Sequence, residues 1–216
     1  MSRITLYHCP QTRSSGAMVL VEELGADVDV KVLDRKSGEQ RGAAFLAINP
    51  MGKVPALLDG DALVTEQVAI FLFLADHFAE KGLAPAIGNP LRGPYLRWMA
   101  FYGSSFEPAC VDRALKREPG PQGMSPYGDY ASTLTTVTDQ LARGPYLLGE
   151  SFMAVDVLWG TALNWLTMFG VVEKTPLIAA YIERVTSRPA FTTVSAKDAE
   201  LVAAQAAARQ GEGVPA

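Results

Sequence analysis

The chain has 216 residues and a mass of 23.2 kDa, which is enough for one large domain or two small ones. Apolar residues make up 49% and charged residues 19%, a balance that allows a sizeable core and excludes a disordered chain. With a net charge of −4 the chain lacks the basic excess that neutralises phosphates, so we expect no nucleic-acid partner. Two cysteines and two histidines are too few for a disulfide framework or a structural zinc site. We therefore expect no metal, reduced thiols and a cytoplasmic location.

The first 80 residues alternate between strand and helix patterns. The strand–helix–strand start implies a parallel, right-handed crossover, and Asp59-Gly60 is typical of a hairpin that adds an antiparallel pair. Gly25 is in place to end the first helix, and Thr65 to cap the last. The predicted elements are a strand at 4–7, a helix at 16–24, a strand at 28–33, a short helix at 43–47, strands at 53–58 and 62–64, and a helix at 66–80.

The rest of the chain is helical in pattern. Glycines and prolines mark residues 81–90 as a linker, and we expect residues 209–216 to form a disordered tail. The uncharged stretch at 157–172 is shorter than the roughly 20 residues of a membrane span, so we expect a helix buried on all sides and no membrane partner. The predicted helices cover 91–115, 126–143, 154–170, 175–187 and 190–208. An α/β domain at 1–80 and an all-helical domain at 91–208 follow, with a ligand expected in the crevice between them.

Three loops of the first domain carry residues suited to chemistry. The first, residues 7–15, lies between a strand and a helix and contains a thiol at Cys9 and hydroxyls at Thr12 and Ser14. A helix start has unpaired N–H groups and a partial positive charge, which favour an anion such as a thiolate. The second, residues 49–56, is a proline- and glycine-containing turn before a strand, and the third, residues 64–67, opens an apolar helix. Each loop taken alone also fits an ordinary capped helix or turn.

Taken together, these loops resemble the cytosolic glutathione transferase family, in particular its bacterial serine- and threonine-type members. Residues 49–57 (Asn-Pro-Met-Gly-Lys-Val-Pro-Ala-Leu) followed by residues 64–70 (Val-Thr-Glu-Gln-Val-Ala-Ile) are similar to the family's glutathione-binding segment. Residues 149–156 (Gly-Glu-Ser-Phe-Met-Ala-Val-Asp) resemble the start of its buried central helix. The resemblance implies a thioredoxin-like α/β N-terminal domain, an all-α C-terminal domain, glutathione as substrate and a homodimer.

The resemblance also assigns binding roles. Val54 precedes what should be a cis proline, Pro55, and its backbone would pair with the tripeptide as an added strand does. The Glu66 carboxylate would take the γ-glutamyl ammonium, and the helix start at Gln67 the neighbouring carboxylate. The other carboxylate would meet Lys53, together with Arg13 or Gln40. The implied binding residues are Arg13, Lys53, Val54, Pro55, Glu66 and Gln67.

The implied reaction is attack of the glutathione thiolate on a small hydrophobic electrophile. A hydroxyl that donates a hydrogen bond favours the thiolate over the thiol. Thr12 and Ser14 fit the serine-type position about equally, and Tyr7 is similar in place to the tyrosine of other members. The alternatives are a disulfide reductase in which Cys9 forms a mixed disulfide with glutathione, and a glutathione-binding protein without catalysis.

Two departures from the family pattern affect these expectations. Gln67 stands where members usually carry Ser, and its longer side chain would shift the γ-glutamyl end. Met153 stands where the central helix usually has a Ser or Thr cap, so about 1 kcal/mol of capping would be missing unless Ser151 or Asp156 replaces it.

The helical domain should supply the pocket for the second substrate. Trp98, Tyr102 and Phe106 lie at four-residue spacing on one helix face, and are equally suited to core packing. We place Trp165, Phe169 and Cys110 in the core, and assign no role to His8 or His77.

Overall fold

A computed structural model describes residues 3–118 and 120–211. The elements, in chain order, are β1 (Ile4–His8), α1 (Arg13–Leu24), β2 (Asp29–Val32), α2 (Ala43–Leu46), β3 (Ala56–Asp59), β4 (Ala62–Val64), α3 (Gln67–His77), α4 (Arg92–Phe101), α5 (Glu107–Ala114), α6 (Tyr130–Leu141), α7 (Ala154–Met168), α8 (Pro176–Thr186) and α9 (Pro189–Gly211). Short 3₁₀ turns follow β2 and α3, and a π-helical turn, Tyr102–Phe106, joins α4 to α5.

The four strands form one mixed sheet in the order β2-β1-β3-β4. β1 and β2 are parallel, whereas β1 with β3 and β3 with β4 are antiparallel. This confirms the predicted crossover and the hairpin at Asp59-Gly60. Gly25 ends α1 in the left-handed conformation, as predicted. α3 instead begins at Gln67, because Glu66 has a φ of +65° and cannot belong to a right-handed helix, so Thr65 is not its cap.

The described chain divides into two compact units. One contains the residues up to Leu74 together with those from Pro189 onward, and the other is Ala75–Arg188. The division therefore falls inside α3 and not in the expected linker at 81–90. The last helix, α9, packs on α1 in the first unit instead of joining the helical domain expected at 91–208.

The end of the chain also differs from the expected tail. α9 runs to Gly211, so residues 209–211 are helical. The Arg209 guanidinium is buried and forms an ion pair with Asp34 in the turn after β2, which holds this last helical turn in place. The remaining residues of the expected tail, 212–216, lie outside the described part of the chain.

An aromatic cluster forms the core of the second unit. Trp159 has no accessible surface, and the rings of Trp98, Tyr102 and Phe106 lie 5.7, 5.6 and 4.7 Å from its ring. The Trp159 indole N–H donates to the Trp98 carbonyl at 3.1 Å. The three aromatic residues that were candidates for a substrate pocket are therefore core residues. Cys110 is also buried, as predicted.

The second half of α7 is partly exposed, contrary to the prediction that this helix is buried on all sides. Trp165 and Phe169 are 44% and 63% exposed, and their rings contact each other at 4.8 Å. Sequence periodicity shows that the two rings share a helix face, but not whether another element covers that face. No helix of the described residues is both long enough and apolar enough to cross a bilayer.

Asp156, in the first turn of α7, anchors the start of this helix to neighbouring segments. Its Oδ1 accepts the Leu147 N–H and the Tyr181 hydroxyl, both at 2.8 Å, and its Oδ2 accepts the Met153 N–H at 2.9 Å. These donors lie outside the first turn of α7, so Asp156 anchors the helix start without replacing the cap acceptor that Met153 lacks.

Candidate functional site

The strand register brings the three candidate loops to one edge of the sheet. Tyr7, near the end of β1, pairs with Ala56 at the start of β3, and Leu57 pairs with Val64 at the end of β4. Because both pairs of strands are antiparallel, the end of β1 and the end of β4 flank the start of β3. The loop after β1, the turn before β3 and the start of α3 therefore lie side by side.

Thr12 is the residue that begins α1. It has an extended backbone, and its hydroxyl oxygen accepts the Ser14 N–H at 3.2 Å. The Ser15 hydroxyl oxygen accepts the Thr12 N–H at 3.3 Å, which completes a capping box. The Thr12 hydroxyl lies 2.8 Å from both the Cys9 carbonyl oxygen and the Ser14 hydroxyl, so its one proton can be directed to either, and Thr12 remains partly exposed at the helix N-terminus.

Ser14 and Cys9 are both buried, in contrast to Thr12. The Ser14 hydroxyl oxygen accepts the Cys9 N–H at 3.0 Å, and the hydroxyl lies 2.9 Å from the Cys9 carbonyl. Neither residue has accessible surface. Burial raises the pKa of the Cys9 thiol to about 11, with Arg35 opposing the shift. A thiol with this pKa is almost entirely protonated at neutral pH and is a poor nucleophile.

Hydrogen bonds of the buried Asp198 carboxylate join α9 to this loop. Asp198 Oδ1 accepts from His8 Nε2 at 3.0 Å, and its Oδ2 accepts the Gln11 N–H at 2.8 Å and the Ser15 hydroxyl at 2.5 Å. Burial alone would raise the pKa of Asp198, but these hydrogen bonds outweigh it and lower that pKa, so the carboxylate is ionised at neutral pH. The other ring nitrogen, His8 Nδ1, lies 2.8 Å from the Ser14 hydroxyl.

Tyr7 and Arg13 flank the loop. The Tyr7 ring is half-buried and packs 5.3 Å from the Phe45 ring in α2. Arg13 is exposed in the first turn of α1. Gln11, between them, has a φ of +55°, a conformation that costs a non-glycine residue energy and is concentrated at functional sites.

The turn before β3 is shaped by its own side chains. The buried Asn49 amide donates to the Lys53 carbonyl at 2.8 Å, and its oxygen accepts the Met51 N–H at 3.2 Å. Gly52 has a φ of +59°, and a Cβ there would lie 2.8 Å from the Gln40 carbonyl oxygen. Only glycine fits this position, because both its conformation and the available space exclude a side chain.

The Val54–Pro55 peptide bond follows this turn and is cis, as the resemblance implies. Pro55 is buried, Val54 is partly buried and the Lys53 side chain is exposed. The ladder between β1 and β3 begins at Ala56, so the Val54 backbone lies beyond it.

The start of α3 contacts the start of α1. The Gln67 amide donates to the Arg13 carbonyl at 3.0 Å, while its buried Oε1 has no hydrogen-bond partner among the described groups. Glu66, immediately before it, is exposed. The Gln67 amide N–H is therefore already hydrogen-bonded within the protein, and the side-chain atom without a partner among the described groups, Oε1, is an acceptor.

Comparisons with known proteins show which family the chain belongs to. A family model described as "Glutathione S-transferase, N-terminal domain" matches residues 2–76. Glutathione S-transferase 3 of Zea mays is 30% identical over 208 residues, covering 88% of this chain and 92% of that protein. The chain belongs to the glutathione S-transferase family.

Two solved structures of the family show the same fold. A glutathione transferase from Methylococcus capsulatus has a TM-score of 0.76 at 31% identity, covering 91% of this chain and 98% of that one. A glutathione transferase homologue from Sulfitobacter, solved with bound glutathione, has a TM-score of 0.74 at 27% identity, covering 91% and 99%. The thioredoxin-like N-terminal sheet and the helical region that follows it are thus those of a glutathione transferase.

Two polar residues at this candidate site were not predicted from the sequence. His8 was assigned no role, and Asp198 lies 190 positions away from it on α9. No local pattern links a histidine at a strand end to an aspartate in a remote helix, so only the packing of α9 on α1 reveals the pair. No cluster of His, Cys, Asp and Glu suited to a metal ion occurs in the described ranges.

Proposed function

We propose that this chain binds glutathione at the edge of its sheet and joins the glutathione sulfur to a small hydrophobic electrophile, with Thr12 as the hydroxyl donor. The observation that carries the choice of Thr12 over Ser14 and Cys9 is the contrast in their exposure. Thr12 is partly exposed at the helix N-terminus, whereas Ser14 and Cys9 have no accessible surface. A donor must reach the sulfur, and a helix N-terminus adds a favourable field for the thiolate.

The rest of the tripeptide would lie along the turn and the start of α3. The γ-glutamyl ammonium is a donor that fits the exposed Glu66 carboxylate. The backbone N–H at the start of α3 would take the adjacent carboxylate, as helix N-termini take anions. Val54 would pair with the tripeptide backbone, and Lys53 and Arg13 would approach the glycyl carboxylate. The second substrate is a small electrophile, and we expect a homodimer, as in the family.

Substitution of Thr12 tests this proposal. Conjugation of an activated aryl halide should fall about 10²–10³-fold in Thr12→Val, because the variant keeps the shape of the side chain but loses the donor. Thr12→Ser should keep most of the activity, and Tyr7→Phe should be unchanged. If Tyr7→Phe loses activity while Thr12→Val retains it, the assignment of the donor is wrong.

The alternative reaction through Cys9 has a direct test. Burial of Cys9 and the rise of its pKa to about 11 both argue against a thiolate that attacks a disulfide. Mass spectrometry after incubation with oxidised glutathione should therefore find no adduct on Cys9. An adduct of one glutathione on Cys9, lost on reduction, would instead support a disulfide reductase.

A protein that binds without catalysis is distinguished by calorimetry. We expect glutathione to bind and the aryl halide to be turned over by the same preparation. Binding without turnover of any aryl halide, epoxide or enone tested would favour the non-catalytic alternative.

A further inference from the structure

Four polar side chains form an unbroken chain from α9 to the N-terminus of α1. Asp198 contacts His8 Nε2 at 3.0 Å, His8 Nδ1 contacts the Ser14 hydroxyl at 2.8 Å, and the Ser14 hydroxyl contacts the Thr12 hydroxyl at 2.8 Å. Asp198, His8 and Ser14 are buried, with exposures of 5%, 1% and 0%. We call these four residues the buried chain. Its Thr12 end is the one that is partly exposed.

The contacts allow an arrangement of protons that runs along the whole buried chain. The ionised Asp198 carboxylate can only accept, so His8 Nε2 carries a proton and donates it. When the imidazole is neutral, its Nδ1 is an acceptor, and the Ser14 hydroxyl 2.8 Å away is able to donate to it. The Ser14 oxygen is left free to accept from the Cys9 N–H and from the Thr12 hydroxyl. The Cys9 carbonyl oxygen, 2.8 Å from the Thr12 hydroxyl and 2.9 Å from the Ser14 hydroxyl, is the other acceptor open to these two groups.

The connection Ser14–His8–Asp198 is the same as in a nucleophilic serine triad, but it cannot act as one. In such a triad the serine oxygen attacks the substrate while the histidine takes its proton. Ser14 has no accessible surface, so no substrate carbonyl can reach its oxygen. Any effect of the buried chain on a ligand must therefore act through Thr12, its partly exposed end.

We propose that the buried chain carries the thiol proton of glutathione to His8. This inference rests on the proposed function, in which Thr12 contacts the glutathione sulfur. The S–H bond breaks and its proton joins the Thr12 oxygen. The original Thr12 proton passes to the Ser14 oxygen, and the original Ser14 proton passes to His8 Nδ1. The products are a thiolate that accepts a hydrogen bond from Thr12 and an imidazolium that donates to both Ser14 and Asp198.

Asp198 makes this transfer favourable. A buried imidazolium without a counter-ion would be strongly disfavoured, whereas one that donates to a carboxylate at 3.0 Å is stabilised. Asp198 is the charged group that hydrogen-bonds to the His8 ring. The ion pairs of α9 with the rest of the first unit, Arg209 with Asp34 and Lys197 with Glu22, do not include His8. His8 and Asp198 are therefore positioning residues that act on the sulfur through Ser14 and Thr12.

The unmodified protein provides the first test, because the chain has only two histidines, His8 and His77. Their imidazole NMR signals can be assigned with a His77→Gln variant, since His77 is exposed and lies outside the buried chain. At a pH where His8 is neutral in the free protein, addition of glutathione should convert its signals to those of an imidazolium. S-methylglutathione, which has no thiol proton, should bind and leave His8 neutral.

This comparison can overturn the proposal in two ways. The relay is wrong if His8 stays neutral with glutathione, or if it responds identically to the two ligands. It is also wrong if His8 is already an imidazolium in the free protein throughout the pH range of activity, because it could not then accept a proton.

Two variants give an independent readout of the thiol itself. His8→Asn retains an amide that can contact Ser14 but cannot take a proton, and Asp198→Asn retains the shape of the carboxylate without its charge. Ultraviolet absorbance should show mostly thiolate in the wild-type complex at pH 7. In either variant it should fall toward the few per cent expected of a free thiol with a pKa near 8.5.

Kinetics separate this role from a structural one. The relay predicts that kcat falls at least tenfold at pH 7 and recovers as the pH rises, while the KM for glutathione stays within about threefold. A raised KM with unchanged thiolate absorbance would instead show that the two residues only hold the loop in shape. If glutathione does not bind, or if Thr12→Val is fully active, the proposed function fails. If binding and dependence on Thr12 hold while His8 stays neutral, only the relay fails.

Discussion

Gly160 lies within α7 against α8, and alanine at this position would create a severe overlap. A Cβ on Gly160 would lie 2.5, 2.6 and 2.6 Å from Cγ2, Cβ and Cγ1 of Val185, where ordinary contacts begin near 3.4 Å. Rotation of the valine side chain cannot relieve the overlap, because the Val185 Cβ is attached directly to the backbone. The two helices would have to separate by about 1 Å, which loosens the contact between them.

The expected cost follows from two opposing terms. Overpacking of a core costs about 1–3 kcal/mol, and a clash that no rotamer relieves belongs at the upper end of that range. Alanine in place of glycine in a helix returns about 1 kcal/mol. The free energy of unfolding should therefore fall by about 2 kcal/mol in Gly160→Ala. Gly93 in α4 is the matched control, because a Cβ there meets no atom within 4 Å, and Gly93→Ala should be about 0.5 kcal/mol more stable than wild type.

Urea unfolding of the wild type and both variants measures these changes, with the m-value used to check that the unfolded state is comparable. Val185→Ala removes two of the three overlapping atoms, so the double variant with Gly160→Ala should lose less stability than the sum of the two single changes. If Gly160→Ala is as stable as Gly93→Ala, the close packing of α7 on α8 inferred here is wrong.

Three further predictions concern titratable groups. Burial raises the pKa of Cys9 to about 11 and that of Cys110 to about 12. Both thiols of the folded protein should therefore react with an aromatic disulfide at least about 100-fold more slowly than after unfolding. Rapid release of one equivalent of aromatic thiolate from the folded protein would contradict this. Burial raises the pKa of Asp156 from 3.8 to about 6, so the folded state keeps a proton that the unfolded chain loses. The contribution of this proton to the free energy of unfolding, about 3 kcal/mol, is present below pH 4 and lost as the pH rises through 6. Asp156→Asn should lack this pH dependence. Identical profiles of unfolding free energy against pH in the two proteins would disprove the prediction. Glu66→Gln should raise the KM for glutathione about tenfold with little change in kcat, whereas a change in kcat alone would remove Glu66 from ammonium binding.

Local patterns were sufficient to predict most of the elements. Alternation predicted the strands, helical spacing predicted the helices, and the Asp59-Gly60 hairpin lies where its turn residues indicate. These features depend on side-chain period and on backbone conformations that nearby residues determine. The same holds for the end of α1 at Gly25.

Burial was predicted less well than periodicity. Trp98 and Trp165 both lie at helical spacing with other aromatic residues, yet the first packs on Trp159 in the core and the second is 44% exposed. A helix face is buried only when another element covers it, and that element is specified elsewhere in the chain.

The amino-acid sequence by itself determined the order of strands and helices, the loops at the sheet edge and the family resemblance, because each of these depends on residues close together in the chain. Tertiary structure alone decided which of the two candidate hydroxyls is accessible and which buried groups they contact. Ser14 and Thr12 are two positions apart and equivalent in sequence, but one is enclosed by the loop and His8 while the other caps the helix at its surface. The carboxylate that completes their hydrogen bonds, Asp198, reaches them only because α9 folds back onto α1.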